Sequence, residues 1–179
     1  MQRFNIALIF NNDVSEKIAK YSQLLCKDIH SDFVVGKNAI PHMTVAQFDI
    51  DPSMINEIWK PCMLKISKTP ELYFSGITIL PSSNGGAWIE ISVLKGQELL
   101  NLQRTIINII EPFSSIKNDT YDMYRPHITV AHTTKGNSIN NFPFSYEPIR
   151  LKSVETTLGI GLGITFDPIE PANIGITDA

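Results

Sequence analysis

Pro41-His42-Met43-Thr44-Val45-Ala46 and Pro126-His127-Ile128-Thr129-Val130-Ala131 are two copies of one hexapeptide, identical at five of six positions. The chain has only four histidines, so two of them in the same setting mark an internal repeat. Side chains alternate faces along a strand. Read as strands, the copies put His42, Thr44 and Ala46, and His127, Thr129 and Ala131, on one face. Met43 and Val45, and Ile128 and Val130, take the other face and can anchor each strand in a core. The proline ahead of each histidine favours an extended entry and withholds one backbone donor.

Outward from the motifs, each half reads as a strand, a long helix and then the motif strand. Phe4–Phe10 is an apolar run suited to a buried strand. Asp13 or Asn12 can cap a helix reaching about Lys27, with Val14, Ile18, Tyr21, Leu24 and Leu25 at helical spacing. Asp32–Lys37 is a short strand and Met43–Phe48 the first motif strand. Ser53–Trp59 is a second helix, ended by Pro61. Leu72–Leu80 and Ala87–Val93 flank the turn Pro81-Ser82-Ser83-Asn84-Gly85-Gly86 and form a hairpin. A helix over about Gly96–Ile110 carries an apolar stripe of Leu99, Leu102, Ile106, Ile109 and Ile110 and is closed by Pro112. Ile128–Ala131 is the second motif strand. A polar loop with Gly136 and a strand-rich stretch from about Ile149 to Phe166 follow, then a loosely attached tail, about 167–179. The expectation is one domain over 1–179.

If the halves are related by a pseudo-twofold axis, two imidazoles and two hydroxyls converge on one groove. Imidazole titrates near neutrality, so one ring can serve as general base while the other carries a proton. Two Thr hydroxyls can donate to phosphoryl oxygens held between the rings. That set suits in-line displacement at phosphorus. Two buried core histidines are the bland alternative, and duplication of the whole hexapeptide argues against it. No metal or cofactor is called for: the sequence lacks His-Glu-x-x-His, paired Cys-x-x-Cys and acidic clusters beside either motif.

Composition narrows the substrate. With 179 residues, 43% hydrophobic and 18% charged, the chain can bury one real core. A net charge of −3 does not suit a protein gripping long nucleic acid by its phosphates. A small phosphate ester or an RNA end fits better. Cys26 and Cys62 match neither a metal spacing nor a disulfide scaffold and read as reduced thiols. Without a leader or a membrane-length apolar run, the expected setting is the cytoplasm, as a monomer.

The paired motifs, the strand Asn5–Phe10 with its helix, the hairpin Leu72–Val93, the helix near Gln97–Ile110 and the Gly-containing C-terminal strands resemble the two-histidine phosphoesterase superfamily. Within it, the chain is most similar to the 2′-5′ RNA ligase / RNA 2′,3′-cyclic phosphodiesterase family. The resemblance implies an α+β, bilobal, pseudo-twofold fold: two antiparallel sheets with outer helices around a central, water-filled groove. It implies hydrolysis of 2′,3′-cyclic phosphates, at RNA ends or on nucleotides, to 2′-phosphates. His42 and His127 would be the acid–base pair, and Thr44 and Thr129 the phosphate binders. Which histidine is the base stays open, with a lean to His127. Many relatives have Arg directly after the second motif, where this chain has His132. That change touches the substrate rather than the chemistry.

Other residues carry weaker expectations. Arg125 could approach a phosphate or be an ordinary ion pair. Trp88, Tyr124 and Tyr121 could stack on a base or simply pack. Strand parity turns His132 away from His127. Two other readings compete: the same centre acting on 2′-5′ oligonucleotides or small cyclic nucleotide-sugar phosphates, and a non-catalytic RNA- or nucleotide-binding module.

Overall fold

β1 (Gln2–Phe10) is apolar because it is a central strand, hydrogen-bonded on both sides. Phe4 through Leu8 are all buried, including the amide side chain of Asn5. α1 (Asn12–Leu25) follows at once. Its cap is Asn11, one residue before the expected ones: Asn11 is still extended, and its side chain accepts from the Val14 N–H at 3.0 Å. β2 (Ser31–Val34) and β3 (His42–Ile50) complete the first half. These elements belong to a computed structural model that describes residues 1–134, 154–163 and 165–170.

α2 (Ile55–Lys65) enters through a 3-10 turn at Pro52–Met54 and, against expectation, runs through Pro61. Proline inside a helix costs about 3 kcal/mol. Here Ile55, Ile58 and Cys62 are fully buried on one face, and burial of such side chains is worth about 1.5–3 kcal/mol each, enough to hold the helix together. β4 (Phe74–Pro81) and β5 (Ala87–Val93) form the expected hairpin, closed by Ser82 N–H to the Gly86 carbonyl at 2.8 Å. Gly85 in that turn has φ +87°, a conformation only glycine adopts readily. α3 (Gln97–Ile110) buries the predicted stripe. β6 (His127–Thr133), β7 (Thr156–Leu162) and β8 (Asp167–Pro168) complete the described elements. Part of the stretch expected to be a loose tail thus pairs as β8 on β7. Residues 171–179, the loop around Gly136 and the start of the C-terminal strand region lie outside the described residues.

The strands make two antiparallel sheets, ordered β3-β1-β7-β8 and β2-β6-β5-β4. Within them β3-β1-β7 and β6-β5-β4 correspond, which is the pseudo-twofold relation the repeat implied. Packing crosses the halves: α1 lies on β6, α3 lies on β3, and β3 and β6 touch. Met43, Val45, Ile128 and Val130 are fully buried in this shared core. Cys62 is buried and Cys26 half-buried, both as thiols. No helix among the described residues is long and apolar enough to cross a membrane.

The repeat extends to an irregularity. Ile6 pairs Ala46 and Ala7 pairs Thr44, leaving Val45 as an extra residue on β3. Ile89 pairs Ala131 and Glu90 pairs Thr129, leaving Val130 as the extra residue on β6. Each motif therefore carries a β-bulge at its valine, and parity changes there. The bulged carbonyls are bound from the opposite half. Gln103 of α3 donates to Val45 at 3.3 Å, and the Ser22 hydroxyl of α1 donates to Val130. Both polar side chains are fully buried.

Candidate active site

His42 and His127 open β3 and β6 and are held alike. Each Nδ1 faces the carbonyl two residues earlier, His42 to Ile40 at 2.9 Å and His127 to Arg125 at 2.8 Å. A carbonyl only accepts, so Nδ1 carries the hydrogen and Nε2 is the nitrogen that can take up or release a proton. Thr44 and Thr129 follow on the same face, half-buried like the histidines. β3 and β6 touch, and the charge of His127 acts on His42.

The surroundings of the two rings differ. His42 stacks on Phe166, centroids 4.8 Å apart and planes at 25°. Burial lowers its pKa below the ordinary 6.5; the Ile40 carbonyl opposes this, and charge on His127 adds to it. Phe166 lies over glycines of β7: a Cβ at Gly161 would come within 2.8 Å of its ring. His127 instead meets a carboxylate. Its Nε2 lies 3.3 Å from Oε1 of Glu90, a β5 residue whose side chain is 5% exposed. Arg125 grips the same carboxylate with both terminal nitrogens.

Of the weaker expectations, Arg125 is engaged as an ion pair, half-exposed, with Glu90. Tyr124 is not available to stack on a base: it is 3% exposed, and its hydroxyl donates to the Thr44 carbonyl at 2.8 Å. Burial raises its phenol pKa far above the usual value. It anchors β3 from behind the motif. Trp88 shares the His127 face through its spacing from Glu90, is 37% exposed, and lies on the His132 ring with centroids 4.2 Å apart. Tyr121 is exposed at the surface.

His132 corrects the parity argument. The bulge at Val130 turns it to the face of His127, opposite Trp88 across the ladder. There it is 4% exposed, with Nδ1 donating to Asp32 at 2.6 Å. That hydrogen bond lowers the Asp32 pKa. Beyond Thr44 on the corresponding face of β3, Asp49 pairs with Arg3, and Gln47 accepts from the same guanidinium at 3.2 Å.

Sequence reasoning missed Glu90 and Phe166. Glu90 had a signal: it is the one charged residue in the strand Ala87–Val93, at a position that register sets opposite Thr129. Phe166 had none, since its contact with His42 spans most of the chain.

No family model matches this sequence, and no curated protein does. Solved structures do. One described as a phosphoesterase aligns over 95% of this chain and 96% of its own, with a TM-score of 0.62 and 12% identity. E. coli LigT in complex with 3′-AMP aligns over 94% and 95%, with a TM-score of 0.60 and 15% identity. LigT with NADP+ gives 0.58 at 12% identity over the same shares, 94% and 95%. Two four-stranded antiparallel sheets, three helices and a near-complete structural match show that the chain has the LigT-like two-histidine phosphoesterase fold.

Proposed function

We propose that this protein is a metal-independent phosphodiesterase that hydrolyses 2′,3′-cyclic phosphates, on RNA ends or nucleotides, to 2′-phosphates. The observation that carries the reading is the duplicated presentation of the two rings. Each histidine has Nδ1 pinned to a carbonyl and Nε2 on the reacting face, with a threonine two residues on. One ring takes the proton of an attacking water, and the other gives a proton to the leaving sugar oxygen. Thr44 and Thr129 donate to the non-bridging oxygens as charge builds on phosphorus. Trp88 offers a partly exposed aromatic face for a base. The acidic balance, −3, favours a small ester or a chain end over a long strand.

The substrate class is tested by product analysis. With 2′,3′-cyclic AMP, 31P NMR is expected to show the 2′-phosphomonoester alone. Release of mononucleotides from a 2′-5′-linked dinucleotide, with the cyclic ester untouched, would replace this substrate with the linear one.

A further inference from the structure

Glu90 is a carboxylate placed where a strand would ordinarily bury an apolar or neutral side chain. It is 4% exposed, and a buried carboxylate needs partners that repay its lost hydration. It has two. Arg125 binds both of its oxygens, and the 3.3 Å contact reaches Nε2 of His127, the nitrogen that must face substrate. The corresponding place beside Thr44 is taken by Ala7. The pseudo-twofold site is therefore asymmetric in charge: one ring sits against Phe166, the other against an anion.

We infer that Glu90 is a positioning residue that orients His127 and holds a proton on its Nε2, making His127 the acid and His42 the base. The inference rests on the phosphodiesterase reading of this site. In the forward step water attacks phosphorus and its proton passes to Nε2 of His42. The bond from phosphorus to the 3′ oxygen breaks, and that oxygen takes the proton from Nε2 of His127. The 2′ ester bond stays, and the product is the 2′-phosphomonoester. The charged and titratable groups facing His127 are Glu90 from β5, Arg125 from the approach to β6, and His42 from β3, with Asp119 acting on Arg125 from behind. Glu90 alone among those touching the ring is anionic.

The test is a proton-NMR titration of the His127 ring in the full chain and in Glu90→Gln and Arg125→Gln, with thermal melts to confirm folding. An opposite charge at this range moves a titration by about one pH unit or more. Glu90→Gln is expected to lower the His127 midpoint by about one unit, and Arg125→Gln, which removes a cation, to raise it or leave it. A midpoint unchanged in Glu90→Gln, or moved the same way in both variants, would overturn the inference, because a purely structural anchor has no sign. Activity supplies a second readout: the alkaline limb of kcat should shift to lower pH in Glu90→Gln, with KM kept. Failure of the wild type to turn over any cyclic ester would count against the phosphodiesterase reading, and the NMR result would still decide whether Glu90 governs His127.

Discussion

At the scale of single residues, the reactive nitrogen of each histidine is chosen by what the other nitrogen does. Ile40 and Arg125 offer carbonyls to Nδ1, and this fixes the tautomer and the ring plane. Burial then makes His42 a poor cation. In its proposed role as base it must be neutral, and a pKa below 6.5 keeps it neutral into mild acid. The acid limb of kcat/KM is therefore expected to have its midpoint below 6.5; a midpoint above that value contradicts the assignment. Tyr124 acts from behind the strand. Tyr124→Phe removes the donor to the Thr44 carbonyl and should cost about 1 kcal/mol in urea unfolding. The His-x-Thr pairs were legible in the sequence because each is local and the two copies check each other. Phe166 and the role of Tyr124 were not, because each acts across a sequence separation that composition does not encode, and Glu90 showed only as the lone charge in its strand.

At the scale of elements, the motif strands are not plain ladders. Both bulge at the same valine, and both bulged carbonyls are tied to a helix of the other half. Gln103 also donates to the Asp119 carbonyl at 3.2 Å and accepts from the Tyr121 N–H at 3.0 Å. Removing it takes the acceptor from the Tyr121 N–H and leaves the Val45 and Asp119 carbonyls only the Asn118 amide, at 3.4 and 3.1 Å. Gln103→Leu should cost about 2–3 kcal/mol. Ser22→Ala should cost less, about 1 kcal/mol, since the Val130 carbonyl keeps the Val35 N–H at 2.9 Å. Urea unfolding of the two variants checks the order; equal costs would mean that the cross-half hydrogen bonds do not hold the motifs. Helix and strand existence was legible from apolar periodicity. The bulge was not, because nothing in Pro-His-x-Thr-Val-Ala marks an extra residue, and the orientation of His132 was misread for that reason. Pro61 was misread as a helix end because tertiary burial of Ile58 and Cys62 outweighs a local rule.

At the scale of the whole molecule, duplication explains the architecture and the paired His-x-Thr motifs. Two strand-helix-strand halves place like residues on the sheets, and exchange of helices between halves binds them into one core. The halves then diverge around the motifs, Phe166 on one side and Glu90 on the other. The two halves were readable from the repeat and the two sheets from the family resemblance; the divergence needed coordinates. Charge pairing also predicts acid sensitivity. The Asp49 pKa is lowered, first by hydrogen bonding to Arg3, and the Asp32 pKa by His132. Carboxylates depressed in the folded state stabilise it above their unfolded pKa near 3.8, and that contribution is lost as pH falls through the lower folded values. His42 acts in the same sense nearer neutrality: its folded pKa is lowered, so its contribution is complete above 6.5 and declines as pH falls below it.

The central claim is that two histidines, one from each half, perform phosphodiester hydrolysis without a metal. Its most direct test is turnover of 2′,3′-cyclic mononucleotides in excess EDTA by the wild type, His42→Ala and His127→Ala. The account predicts wild-type turnover that EDTA does not diminish, with each variant reduced by about 10²–10⁴-fold. Turnover abolished by EDTA, or retained by either variant, would contradict it.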